Sequence, residues 1–208
     1  MSVETILALM GFAFATSVTP GPSNLILLAA GANFGFRRTI PLVLGVNFSF
    51  LTMLLVVGFG LGEVLRANDT IYSALKVLSL LYILWLAWKI AGSRPGPSAD
   101  GTSAARPLTF FQMALLQWIN PKAWAVALSV TVAYTTPASY VPSLLSMTFI
   151  FGVVNLPSIT VWAVFGTALR RILHDSAKAR AFNLLMAALL VASMIPIVWG
   201  LGALFPSS

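Results

Sequence analysis

The 208-residue sequence holds no cysteine, one histidine (His174) and five acidic residues. The first absence excludes disulfides, thiolate metal sites and thiol relays. One histidine and five acids leave little material for a metal cluster or an intramembrane hydrolase. Charge is scarce altogether: Asp, Glu, Lys and Arg make 8% of the chain and hydrophobic residues 59%, where soluble domains carry about 25% charge. So few charges cannot cover a water-facing surface, which argues against a soluble enzyme or a nucleic-acid module. No catalytic activity, cofactor, metal or nucleic-acid partner is expected.

Long apolar runs are what the chain does have. Mean hydropathy is +0.93, and six stretches are long enough to cross a bilayer, which takes roughly 20 residues each: 3–30, 39–61, 70–88, 108–134, 140–169 and 182–205. The first lacks a basic leader, carries Glu4 and stays apolar past Pro22, so it reads as a retained helix rather than a signal peptide. The expected fold is an all-α membrane domain over 1–208. It divides into a repeat over 1–90, a Gly/Ser/Pro/Ala-rich linker over 91–107 and a second repeat over 108–208. Arg37 and Arg38, then Lys89, Arg94 and Arg106, then Arg170, Arg171, Lys178 and Arg180 put nine basic residues in the loops of one side, against Arg66 alone on the other. The positive-inside rule makes the first side cytoplasmic and leaves both termini external. Tyr72, Tyr134 and Tyr140 fall near the external boundary, as an aromatic belt would.

The two halves echo each other. Pro20 and Pro121 are 101 residues apart, as are Pro41, expected to open the second span, and Pro142, expected to open the fifth. Three spans per half make the second half enter from the opposite side, the inverted-repeat plan of many secondary transporters. Pro20 and Pro22 lack an N–H and clash with the preceding turn, and Gly21 between them frees the backbone. The first span should therefore unwind there, and the fourth at Asn120-Pro121. Each restarted helix would present free N–H groups and a positive dipole end at depth, a setting for an anionic group. Packing kinks are the alternative.

Lys122 lies fourteen residues into the fourth span. A lysine at a helix centre costs about 2.5–3.5 kcal/mol on insertion scales and must face the bundle interior or water. No acid lies deep in any span to pair with it: Glu4, Glu63 and Asp69 are near the external ends, Asp100 and Asp175 in cytoplasmic loops. A ligand bringing its own carboxylate would suit it; backbone carbonyls at the break are the other way to hold it. Lys76 is nearer the external side, where it either contacts substrate, snorkels outward, or pairs with Asp69 or Glu63. Asn24, Asn47, Asn120 and Asn155 are deep amides, with Gln117 nearer the cytoplasmic half. They serve either a ligand or interhelical packing. The candidate substrate-binding set is Pro20, Gly21, Pro22, Asn24, Asn47, Asn120, Pro121, Lys122 and Asn155, with Lys76 as an addition. Small-residue faces around Gly11, Gly58 and Gly62 permit a homodimer.

Thr19-Pro20-Gly21-Pro22-Ser23-Asn24, followed by Gly35-Phe36-Arg37-Arg38, resembles the first signature of the LysE/RhtB amino-acid exporter family, and Asn120-Pro121-Lys122-Ala123 resembles its second. Leu75-Lys76 and the run from Leu81 to Lys89 fit its third helix. Trp85–Ile90 and Pro107–Lys122 are most similar to the branch exporting cysteine and O-acetylserine. The family often has Asn directly after the second Pro, so Ser23 leaves open whether Ser23 or Asn24 faces the site. The resemblance implies a six-helix inner-membrane carrier that exports amino acids, neutral ones such as cysteine, O-acetylserine, homoserine or threonine. Lys122 and the half-helix ends would take the carboxylate; carbonyls freed at the breaks, with Asn24 or Asn155, would take the ammonium. The rival readings are an inorganic cation exporter and a membrane scaffold without transport.

Overall fold

The computed structural model describes residues 1–61, 69–92, 107–169, 173, 175–193 and 195. Every regular element among them is helical: α1 (Val3–Val18), α2 (Pro22–Phe34), α3 (Phe36–Val56, extended by a π-helical turn over Val57–Leu61), α4 (Asp69–Gly92), α5 (Phe110–Trp118), α6 (Pro121–Tyr134), α7 (Tyr140–Leu169) and α8 (Ser176–Ala192). Glu63, Arg66, Arg94, Asp100, Arg106, Arg170, Arg171 and His174 lie outside the described residues. Two helical stretches, Phe36–Gly60 and Pro137–Leu169, are long and apolar enough to cross a bilayer; α1 and α2, bent by 58° at their junction, qualify as a third if taken as one span.

Both expected breaks are present. The helix that begins at Val3 stops at Val18 and the next starts at Pro22; the helix that begins at Phe110 stops at Trp118 and the next starts at Pro121. In each case proline is the first residue of the new helix, where its missing N–H costs nothing. The fifth span occupies the expected residues, with Pro157 inside an uninterrupted helix.

Two expectations are corrected. Pro41 does not open the second span: α3 begins at Phe36, directly after Gly35, and Pro41 stands inside it. Gly35 alone connects α2 to α3, at φ 82°, ψ 166°, a conformation open to glycine and costly for other residues. Arg37 and Arg38 stand in the first turn of α3 and Lys89 in the last turn of α4 rather than in loops, and Lys178 and Arg180 are likewise helical: α8 starts at Ser176 because the Asp175 carboxylate accepts from the N–H groups of Ala177 (2.8 Å) and Lys178 (3.5 Å), an N-cap that turns a polar, basic segment into the first turns of a helix.

α2 is the inner element of the bundle. Every residue from Pro22 to Ala32 is buried, as befits a helix that is apolar all round. It lies along α7, and two glycines make the approach backbone to backbone: a Cβ on Gly31 would stand 2.3 Å from Ala163 O, and one on Gly166 2.1 Å from Leu28 O. α3 lies against α5 and α7, α1 against α7, and α4 against α8. The buried apolar side chains form two cores. One joins α2 to Leu42, Val46, Met113 and Ile159; the other joins Leu9 and Ala13 of α1 to Phe50, Trp124, Met147 and Phe151. The two helix breaks lie between them.

Candidate functional site

The polar side chains buried between the two cores come from both breaks, and two hydrogen-bonded chains organise them. Around the first break, Asn24 Nδ2 reaches back across the interruption to Ser17 O (2.7 Å) and Thr19 O (3.0 Å). Both partners are carbonyls, which only accept, so the amide orientation is settled and Asn24 Oδ1 is the atom left without a protein donor. Ser17 Oγ donates to Asn155 Oδ1 (2.8 Å), and Asn155 Nδ2 donates to Asn47 Oδ1 (2.8 Å), tying α1 to α7 and α3.

Around the second break, Asn120 is the N-cap of α6: its Oδ1 accepts from Lys122 N (3.1 Å). Its Nδ2 donates to Ser23 Oγ on α2 (3.1 Å), and Ser23 Oγ donates to Gln117 Oε1 (2.5 Å). The Trp118 carbonyl accepts from Trp124 Nε1 (2.5 Å).

Lys122 connects the two breaks. It is the second residue of α6, twelve positions from each end of the Phe110–Tyr134 segment. Its Nζ donates to Thr19 O (2.8 Å) and Pro20 O (3.5 Å). The stem passes against Gly21, where a Cβ would stand 2.9 Å from Lys122 Cδ and 3.2 Å from Nζ. No carboxylate among the described residues pairs with it. The carbonyls expected to serve a substrate ammonium are thus occupied by Lys122 and Asn24. An ammonium has three donors, so one N–H and the charge remain available.

A cavity of about 50 Å³ opens beside these groups, space for roughly three or four water molecules. Its lining combines the polar Ser17, Ser23, Asn24, Gln117, Asn120 and Lys122 with the apolar Val46, Phe50, Val126, Phe151 and Ile159. Of the expected residues, Gly21, Asn24, Asn120, Lys122 and Asn155 line it. Pro20 contributes only its carbonyl. Pro22 and Pro121 are buried first residues of their helices, and Asn47 stands one hydrogen bond behind Asn155. Lys76 lies in α4, and its side chain is outside the described residues. Ser23 and Asn24 both line the cavity. Ser17 and Gln117 are additions to the expected set; their signal in the sequence is position, each within three residues of a break.

The α2 N-terminus also faces this space. Gly21, its N-cap, offers no side chain, and the N–H groups of Ser23 and Asn24 have no protein acceptor.

The family model described as LysE type translocator matches residues 14–195. A protein of Klebsiella pneumoniae named cysteine/O-acetylserine efflux protein is 27% identical over 95% of this chain and 99% of its own length. Proteins of the same name from Salmonella typhimurium and Escherichia coli K12 are 27% and 26% identical, each over 96% of this chain and 100% of their own. No solved structure matches the chain.

Proposed function

The chain belongs to the LysE type translocator family, and on that premise we propose that it exports small neutral amino acids or close derivatives, cysteine and O-acetylserine among them, across a bacterial inner membrane. The observation that carries this reading is Lys122: an ammonium at mid-span with no carboxylate partner among the described residues, anchored to the carbonyls of a broken helix beside a cavity.

A zwitterion needs a positive and a negative counterpart. Its carboxylate docks at the α2 N-terminus, on the N–H groups of Ser23 and Asn24, with the remaining donor of Lys122 alongside. Its ammonium docks on Asn24 Oδ1. Phe50, Val126 and Phe151 in the same lining suit a small uncharged side chain.

The transporter is built as six spans in two inverted repeats, with α1–α2 answering α5–α6, α3 answering α7 and α4 answering α8. The pairing of helices supports this: α3 packs on α7, α4 on α8, and α1 meets α7 as α5 meets α3. Both termini are external by the charge asymmetry, and transport proceeds by one repeat rocking against the other around the fixed site.

Proteoliposomes loaded with radiolabelled O-acetylserine, threonine or manganese test the reading. Amino-acid efflux without manganese efflux is the expected result. Manganese efflux alone, or no efflux of any of the three, defeats it.

A further inference from the structure

Gln117 is 6% exposed, and only its oxygen is engaged by the protein. The direction of its hydrogen bonds follows from a backbone group. Lys122 N–H only donates, so the Asn120 atom that receives it is Oδ1. The other end of that amide is therefore Nδ2, which donates to Ser23 Oγ. Asn120 Nδ2, which only donates, also reaches Gln117 at 3.5 Å, so the atom it meets is Oε1, and Ser23 Oγ donates its hydrogen to that same oxygen. Gln117 Nε2 is left with two N–H donors and no protein acceptor; it is not sealed in the core, and the residue lines the cavity. A buried amide with unmet donors is costly unless a ligand or water meets them.

From this relay we infer that Gln117 is a positioning residue for the substrate carboxylate: its Nε2 donates to one carboxylate oxygen while the α2 N-terminus and Lys122 hold the other. The inference rests on the exporter reading for the identity of the ligand. The division of labour is chemical. Lys122 supplies charge, which is indifferent to orientation. Gln117 supplies a directed neutral donor, held in place by the hydroxyl of the same α2 turn whose N–H groups face the ligand. The ammonium end is read separately by Asn24 Oδ1, so the cavity presents donors on one side and an acceptor on the other.

Three probes separate the roles in purified protein in lipid nanodiscs: O-acetylserine, propionate (a carboxylate without an ammonium) and n-propylamine (the reverse). Wild type binds propionate in competition with O-acetylserine. Gln117→Glu keeps an oxygen for Ser23 and Asn120 but turns a second oxygen to the cavity; it weakens both carboxylates about 10- to 100-fold and strengthens n-propylamine. Gln117→Met, uncharged and of similar length, weakens both carboxylates about tenfold with n-propylamine unchanged, and decides the matter if the glutamate variant does not fold. Failure of wild type to bind propionate, unchanged propionate affinity in Gln117→Met, or equal loss of all three probes overturns the inference. Efflux keeps the two readings apart. A wild type that moves no amino acid yet binds propionate through Gln117 defeats the exporter reading alone. Gln117→Met with wild-type KM for amino-acid efflux defeats the carboxylate role alone.

Discussion

The two helix breaks look alike in sequence, proline following a short non-helical turn, yet they are finished differently. The second is capped by side chains: Asn120 caps α6 while its amide nitrogen reaches Ser23 on α2, Trp124 covers the Trp118 carbonyl, and the two indoles stack edge to face at 5.7 Å. The first is left open. Gly21 offers no side-chain cap, the N–H groups of Ser23 and Asn24 lack protein acceptors, and a lysine from the other half of the chain donates to Pro20 O and shares Thr19 O with Asn24. On the proposed reading the difference separates scaffold from site: the turn with side-chain caps delivers Lys122, and the other leaves the N–H groups of Ser23 and Asn24 without a protein acceptor.

Substitutions that strip one break and spare the other make the contrast measurable. Lys122→Ala has the largest effect. It removes the charge and both bonds to the first break; with charge-assisted bonds contributing about 1.5–3 kcal/mol each, efflux from proteoliposomes falls at least about 100-fold. Retention of even a tenth of wild-type efflux would mean that the first break does not work through the lysine.

Gly21→Ala comes next. At φ −170° and ψ 173° the backbone accepts alanine without strain, and the new methyl meets only the flexible lysine stem. Unfolding temperature stays near wild type while efflux drops about tenfold, the ammonium having lost a bond of roughly 1.5 kcal/mol or more. Wild-type efflux in this variant would show that the close contact at Gly21 has no functional consequence.

Asn120→Ala has the smallest effect on the charge but a clear one on the fold. Loss of the N-cap costs about 1 kcal/mol, read as earlier thermal unfolding in detergent. If Asn120→Ala left stability untouched and Gly21→Ala lowered it, the assignment of capped and open turn would be reversed.

Much of this was legible in the sequence where one residue type dictates the outcome. A Pro-Gly-Pro run and an Asn-Pro pair interrupt the helices here, while the lone Pro41 and Pro157 stand inside α3 and α7, so both breaks were readable, and a lysine fourteen residues into an apolar run has to find the interior. The bounds of α7 follow from an unbroken apolar stretch. The start of α8 did not follow, because Lys178 and Arg180 carry loop composition while the deciding feature is one carboxylate, Asp175, at the cap. The start of α3 was missed for a related reason: Gly35 turns the chain alone, leaving no loop to mark it. In the site, local features announced Asn24 and Asn120. The bond between Ser23 and Gln117 spans 94 residues and has no periodic signature, so the residue best placed to complete the cavity was indistinguishable from an ordinary buried amide. Asn47 shows the converse: equally deep and polar, it supports Asn155 from behind.

The glycine contacts between α2 and α7 bear on movement. With Leu28 O and Ala163 O standing where methyl groups would be, a sideways slip drives one main chain into the other long before it exposes the cavity. Rocking of one repeat against the other would therefore turn about this contact rather than slide across it, and because Gly35 links α2 to α3 without slack, a rotation of α2 is handed straight to the helix bearing Val46 and Phe50.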